Sequence, residues 1–304
     1  VADYQFEIRH KPVLADDVLQ TLHPRPGQTV VDCTLGLGGH SRLLLERITP
    51  GGKLIAFDFD QQNIDRARSH LQTVKDGQFT LHHTNFAAIY AILIGEGVPQ
   101  VDAILADLGV ASPQIDDPAR GFSYRKPGPL DMRMDSSRSE SAAGLLARIS
   151  ERDLRDAILE LGDETDAPEI ARLIVERRAE RPITTTEQLT AIICEARDFT
   201  LQRALGAKLH PAARTFQALR MLVNRETQNL DRLLKVAPEI LKPGGRIAII
   251  SFHSGEDRRV KHSFRENLRS GLYSQISDEP IVADEAEQKS NPRSRSAKLR
   301  WAEK

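Results

Sequence analysis

Short apolar runs bounded by turn residues recur through the first third of the chain, at Thr29–Leu35, Lys53–Asp60, Phe79–Phe86 and Asp102–Gly109. Each is β-rich and too short for a buried helix, so each predicts a strand. Between them lie Arg42–Ile48, Gln61–Val74 and Ala87–Gly95, long enough for the crossover helices that parallel strands require. This alternation predicts an α/β fold with a mostly parallel sheet wrapped by helices.

After Gly109 the strand rhythm stops. A Gly/Pro/Asp-rich stretch, Ser112–Ser139, is followed by apolar positions at helical spacing: Leu154, Ile158 and Leu161; Ile170, Leu173 and Ile174; Leu189, Ile192 and Ile193. They predict an inserted, mainly helical domain. Next, Phe216, Leu219, Val223, Leu230, Leu233 and Leu234 read as one long amphipathic stretch ending near Pro238. Pro243-Gly244-Gly245 then leads into a further strand, Arg246–Phe252. A basic helix is expected at Glu256–Arg269 and a last strand at Ala297–Ala302. The expected boundaries are 1–111 and 210–304 for a discontinuous sheet domain, and 112–209 for the inserted domain.

Composition narrows the class. A chain of 304 residues, 40% hydrophobic and 28% charged, can bury one large core or two modest ones. Disorder, collagen-like repeats and coiled coil are excluded. No stretch approaches the roughly 18 uninterrupted apolar residues of a membrane helix, and Val1–His10 carries Asp3, Glu7 and Arg9 in place of a signal-peptide core. A cytoplasmic protein is expected. Cys33 and Cys194 lie far apart, which gives neither a disulfide framework nor a four-ligand zinc site, and no His or Cys cluster has metal spacing. The net charge of −1 argues weakly against binding polyanions over the whole surface. That total hides local polarity, because an acidic run from Asp278 to Glu287 offsets two basic segments on either side of it.

The candidate chemistry sits where strands hand over to helices. Asp32-Cys-Thr-Leu-Gly36-Leu-Gly38-Gly39-His40 follows the first strand, and glycines there permit a tight turn and close approach of a nucleotide-like ligand. Tight packing alone explains such a turn equally simply. Asp58 ends the second strand, about 20 residues after Gly36, the interval at which an acid reaches ribose hydroxyls in doubly wound folds. Phe86 follows the third strand, placed to cover an adenine face or to join the core. Asp107 ends the apolar run Ala103–Ala106, and an ionisable group there needs a partner if buried. Ser251-Phe252-His253-Ser254 carries a histidine suited to acid–base work or to a plain strand-end hydrogen bond. It lacks the Gly-x-Ser-x-Gly elbow of hydrolases.

Several of these stretches, in order, resemble one family. Asp32-Cys-Thr-Leu-Gly-Leu-Gly-Gly-His-Ser41, Leu108-Gly-Val-Ala-Ser-Pro-Gln-Ile-Asp-Asp117, Arg120-Gly-Phe-Ser-Tyr124, Gly128-Pro-Leu-Asp-Met-Arg-Met-Asp135, His210-Pro-Ala-Ala-Arg-Thr-Phe-Gln-Ala-Leu-Arg220 and Ile250-Ser-Phe-His-Ser254 are similar to the bacterial small-subunit (16S) ribosomal RNA cytosine-N4 methyltransferases. The resemblance runs from His10-Lys-Pro-Val-Leu14 to Asn291-Pro-Arg-Ser-Arg-Ser296. It implies a class I, Rossmann-like methyltransferase fold interrupted by a helical domain for RNA recognition, with S-adenosyl-L-methionine as cofactor. Gly38, Gly39 and His40 would hold the cofactor, with Asp58 on the ribose, Phe86 beside the adenine, and Asp107 and Gln114 near the methionine end. Departures from the family pattern are Gly255 for a leucine, Arg259 for an aliphatic residue, Ala111 for Ser, Ala213 for Thr, and Leu161-Gly-Asp-Glu164 for Tyr-Gly-Glu-Glu.

By the same resemblance the substrate is the N4 amine of one cytidine of 16S ribosomal RNA near the decoding site, within the small ribosomal subunit. Asp107 is the candidate catalytic acceptor for the amine hydrogens. Phe122, Tyr124, Phe252 and His253 are candidate clamps for the unstacked base. Arg258, Arg259, Lys261, Arg265 and Arg269 in one helix, and Lys289, Arg293, Arg295, Lys298 and Arg300 in the tail, are candidate contacts to the RNA backbone. No metal and no membrane are expected; a homodimer stays open. The competing readings are a nicotinamide-dependent dehydrogenase, which shares the glycine turn and distal acid, and a non-catalytic RNA-binding assembly factor that keeps the fold.

Overall fold

Strands form at β1 (Thr29–Asp32), β2 (Lys53–Asp58), β3 (Gln78–His83), β4 (Val101–Asp107), β5 (Leu241–Ser251), β6 (Gln275–Ile276) and β7 (Lys298–Glu303). The structure, a computed structural model, describes residues 11–137, 140–207 and 209–304; Val1–His10, Arg138, Ser139 and Lys208 lie outside that set. The strands join in one sheet of order β3-β2-β1-β4-β5-β7-β6. The first five run parallel, and β7 is antiparallel to β5 and β6. This is the α/β, mostly parallel sheet that the alternation predicts and the Rossmann-like class that the resemblance implies.

Strand alternation sorts the core into two faces. Val31, Ile55, Phe57, Ile104, Ala106, Ile247 and Ile249 pack on one side with Leu230, Leu233 and Ala237 of the helix Glu226–Ile240. Val30, Leu54, Ala56, Ala103, Leu105, Ala248 and Ile250 pack on the other with Leu44, Leu45 and Ile48 of the helix Gly39–Ile48. Burial on both faces is why these strands read as continuous apolar runs. β1 lies between β2 and β4, so the strand order reverses there, and the carboxyl edge at such a switch point is where open α/β sheets bind ligands.

The chain divides into two compact units, one running through Gly109 and resuming at Gln228–Lys304, the other Val110–Thr227. Within the second unit, the helices Glu151–Gly162, Ala167–Glu180, Thr186–Ala196 and Ala213–Val223 bury Leu154, Ile158, Ile170, Ile174, Leu189, Ile193, Phe216 and Leu219 together. The return to the sheet unit therefore falls later than the expected residue 210. Phe216 and Leu219 have their apolar partners in the helical core, which keeps residues 210–227 there.

Three elements differ from expectation. The long amphipathic stretch is two helices, Ala213–Val223 and Glu226–Ile240, separated at Asn224 and at Arg225, whose φ is 53°. Asn224 Nδ2 donates to the Met132 carbonyl at 2.8 Å, and its Oδ1 accepts from the Met134 N–H at 2.8 Å, which fixes the break. β5 starts at Leu241, before the glycines, and its register against β4 jumps between Val101 and Ala103, leaving Pro243-Gly244-Gly245 as a bulge. β6 has two residues, too few to show as a pattern. Both cysteines are buried and free, and among the described residues no acid, His or Cys cluster could hold a metal and no helix is long and apolar enough to cross a membrane.

Candidate active site

β1 ends on Asp32, which is fully buried. Its Oδ2 accepts from Ser41 Oγ at 2.6 Å and its Oδ1 from the Thr34 N–H at 2.9 Å. Thr34 Oγ1 accepts in turn from the Asp107 N–H at 2.7 Å, so one polar chain ties the glycine turn to the end of β4. Burial raises the Asp32 pKa, while Ser41 and Thr34 pull it back. Asp32, Thr34 and Ser41 are not among the residues expected at the site from sequence. The signal was the one that marked Asp107, an acid closing an apolar run.

The turn itself is shaped by contacts. Gly38 sits at φ 83°, and a Cβ there would stand 3.1 Å from Ala67 Cβ; a Cβ on Gly39 would stand 2.7 Å from Pro12 Cγ. Packing is thus a sufficient reason for both glycines. The Gly36 N–H donates to Asp58 Oδ2 at 2.8 Å, and the Asp60 N–H to Asp58 Oδ1 at 2.7 Å, with Asn63 Nδ2 3.3 Å from both oxygens. Burial still dominates and lifts the Asp58 pKa to about 6. Three donors leave part of the carboxylate's roughly four-lone-pair capacity for a ligand.

After the glycine turn, His40 lies in the first turn of the helix Gly39–Ile48 and is buried. Its Nε2 lies 3.5 Å from Asp107 Oδ2. Burial opposes the charged ring, and the Asp107 carboxylate outweighs it, with help from Asp32 and Glu287, so the His40 pKa is raised. Asp107 Oδ1 is buried and has no hydrogen-bond partner, nor has either His40 ring nitrogen. Phe86 starts a short 3₁₀ turn after β3, capped by Asn85, and its ring packs partly into the core. Gly38, Gly39, His40, Asp58, Phe86 and Asp107 therefore share the carboxyl edge of the sheet unit. Gln114 belongs to the helical unit, where its Oε1 accepts from the Ala111 N–H at 3.1 Å.

The four aromatic candidates separate. Phe122 is buried in the helical core, and Tyr124 stacks on His210 at 4.6 Å and meets Phe216 edge-on, so both are committed to packing. Phe252 and His253 lie just past the carboxyl end of β5. Phe252 stands close to Gly109, where an added Cβ would come 3.6 Å from its Cδ2. His253 caps the helix Ser254–Arg269: its Nδ1 accepts from the Glu256 N–H at 3.4 Å, and its Nε2 is 3.2 Å from Glu256 Oε1. Gly255 leaves room for that ring, since a Cβ would press on it at 3.2 Å. Arg259 pairs with Asp231 at 3.2 Å.

Asp58 at the end of β2 and Asp107 at the end of β4 flank β1 on the edge where open α/β sheets bind nucleotide-like ligands, and S-adenosylmethionine carries a nucleoside suited to such an edge. Fold and edge together define a Rossmann-like methyltransferase. A sequence profile described as the MraW methylase family matches residues 7–304, and the chain belongs to that family. Similar proteins include one from Acidobacterium capsulatum, 43% identical over 97% of this chain and 98% of its own length. Others come from Citrifermentans bemidjiense (44%, covering 98% and 99%) and Burkholderia vietnamiensis (44%, covering 98% of both). All three bear the name ribosomal RNA small subunit methyltransferase H.

Proposed function

We propose that this methylase transfers a methyl group from S-adenosyl-L-methionine to the N4 amine of a cytidine in 16S ribosomal RNA near the decoding site, within the small ribosomal subunit. Ribosomal RNA as substrate is supported by the names of relatives aligned over nearly the whole chain. The observation that carries the amine chemistry is the buried, partnerless Oδ1 of Asp107 at the end of β4.

Bound S-adenosylmethionine supplies an electrophilic methyl group on a sulfonium centre. Asp58 would hold its ribose, Phe86 would lie beside its adenine, and Gly38, Gly39 and His40 would line the turn beneath it; Gln114 is assigned by resemblance. The cytosine amine is a poor nucleophile because its lone pair is delocalised into the ring, so positioning matters most. Asp107 Oδ1 accepts one amine hydrogen, which localises the lone pair and steadies the positive charge that develops on nitrogen. His40 faces the other oxygen at 3.5 Å. With Phe122 and Tyr124 committed to the helical core, Phe252 and His253 are the groups left to seat the unstacked base.

Incubating the protein with methyl-labelled cofactor and small subunits from a strain lacking the modification, then locating the label, tests this reading. Label on cytidine N4 is the expected result. Label on another atom or base, or on protein, would overturn it.

A further inference from the structure

We propose that the outward face of the helix Ser254–Arg269 is the surface that seats the RNA phosphodiester backbone, and that the basic tail is not. This rests on the reading of RNA as substrate. The two basic segments look equivalent in sequence, and the structure separates them.

Arg258, Lys261, His262, Arg265 and Arg269 recur at helical spacing and form one stripe, opposite the buried Val260 and Phe264. Together with Glu266 they line an open groove of about 250 Å³. The helix sorts its charges by face: Glu256 and Asp257 point inward and are buried, while the cations point outward. Asp257 is consumed by Arg300 at 2.6 Å and Lys298 at 3.5 Å. Glu266 faces Arg269 at 2.6 Å. Among the described residues, Lys261, His262 and Arg265 have no ion pair or side-chain hydrogen bond. The charges of Lys261 and Arg265 are therefore available to an anion.

Three of the tail cations are spent differently. Arg300 is buried on Asp257, Lys298 turns to the same carboxylate, and Lys289 faces Glu285 at 3.6 Å. Lys298 and Arg300 thereby brace β7 against the helix.

Position favours the stripe as well. The helix starts directly after β5, with His253 as its cap, so its first cation lies about one turn from the carboxyl edge that holds Asp107. From Arg258 to Arg269 it extends roughly 16 Å at the helical rise. A polyanion entering the edge at Phe252 and His253 meets a line of cations leading away from it. A row of cations along one face, with no Phe, Tyr or Trp among them, matches a phosphate backbone better than bases.

The test compares wild type with a Lys261→Ala/Arg265→Ala variant and with Arg295→Ala, which removes an exposed tail cation. Binding to small ribosomal subunits is measured across a salt series, with methyl-transfer kinetics and cofactor affinity alongside. For the double variant, the log–log salt slope should fall by about two, and KM for subunits should rise. Its kcat, melting temperature and cofactor affinity should stay those of wild type, and Arg295→Ala should keep the wild-type slope. An unchanged slope and KM in the double variant, with wild type labelling RNA normally, would overturn this surface alone. Failure of wild type to label RNA would overturn the underlying reading and this surface with it.

Discussion

His40 Nε2 stands 3.5 Å from Asp107 Oδ2, which joins the first turn after β1 to the end of β4 inside a buried polar cluster. The contact raises the histidine pKa above its ordinary value despite burial. A raised histidine contributes its stability fully below about 6.5 and loses it as pH rises through the folded-state value. Thermal melts of wild type and His40→Asn should thus differ most below about pH 6.5 and converge as pH rises through the raised folded-state value. An equal difference across that range would show that Asp107 does not hold the charged ring.

Asp58 works in a lower window. Its pKa of about 6 in the folded state, against 3.8 ordinarily, means that the folded chain keeps a proton the unfolded chain releases. Stability therefore declines as pH rises from 3.8 to about 6. Asp58→Asn should remove that decline, read from melting curves between pH 4 and 7. Asp58→Ala should weaken cofactor binding by about tenfold to a hundredfold, the equivalent of one charge-assisted hydrogen bond, as calorimetry would measure.

Asp107→Asn replaces a charged acceptor with a neutral amide of the same shape. Methyl transfer in single turnover should slow about a hundredfold, in line with the loss of one preorganised electrostatic contact, while cofactor still binds. Full transfer by this variant would remove Asp107 from the chemistry.

Arg300 is 3% exposed and bonded through Nε to Asp257 Oδ1 at 2.6 Å. Removing one partner of a buried pair leaves an uncompensated charge, so Arg300→Ala should cost about 3 kcal/mol in denaturant unfolding. Desolvation tends to raise the Asp257 pKa, but Arg300 and Lys298 outweigh it and hold it below the ordinary value. The pair's contribution is present above about pH 4 and is lost as pH falls through the depressed value. In the variant, acid should matter less.

Much of the sheet was legible because strands buried on both faces leave unbroken apolar runs, as in Leu54–Phe57 and Ala103–Ala106. Asp58 and Asp107 stood out as acids that close such runs. The break at Asn224 was not legible, because neither Asn224 nor Arg225 disrupts a helical pattern; hydrogen bonds to Met132 and Met134, far off in sequence, make it. Nor could spacing tell that Tyr124 is covered by His210, or that Lys298 and Arg300 turn to Asp257 while Lys261 and Arg265 do not. Those distinctions are made by tertiary partners, and a single sequence does not carry them.

Ala103 of β4 pairs with Arg246 of β5, and the whole helical unit lies between them along the chain. Closing so long a loop costs entropy before any strand contact repays it, whereas the helices Glu151–Gly162, Ala167–Glu180 and Thr186–Ala196 of the insertion pack in chain order. An insertion that folds first would shorten the effective loop β5 must close on β4. Weakening its core, at Ile158 or Phe216 for example, would delay completion of the carboxyl edge without touching a residue of it.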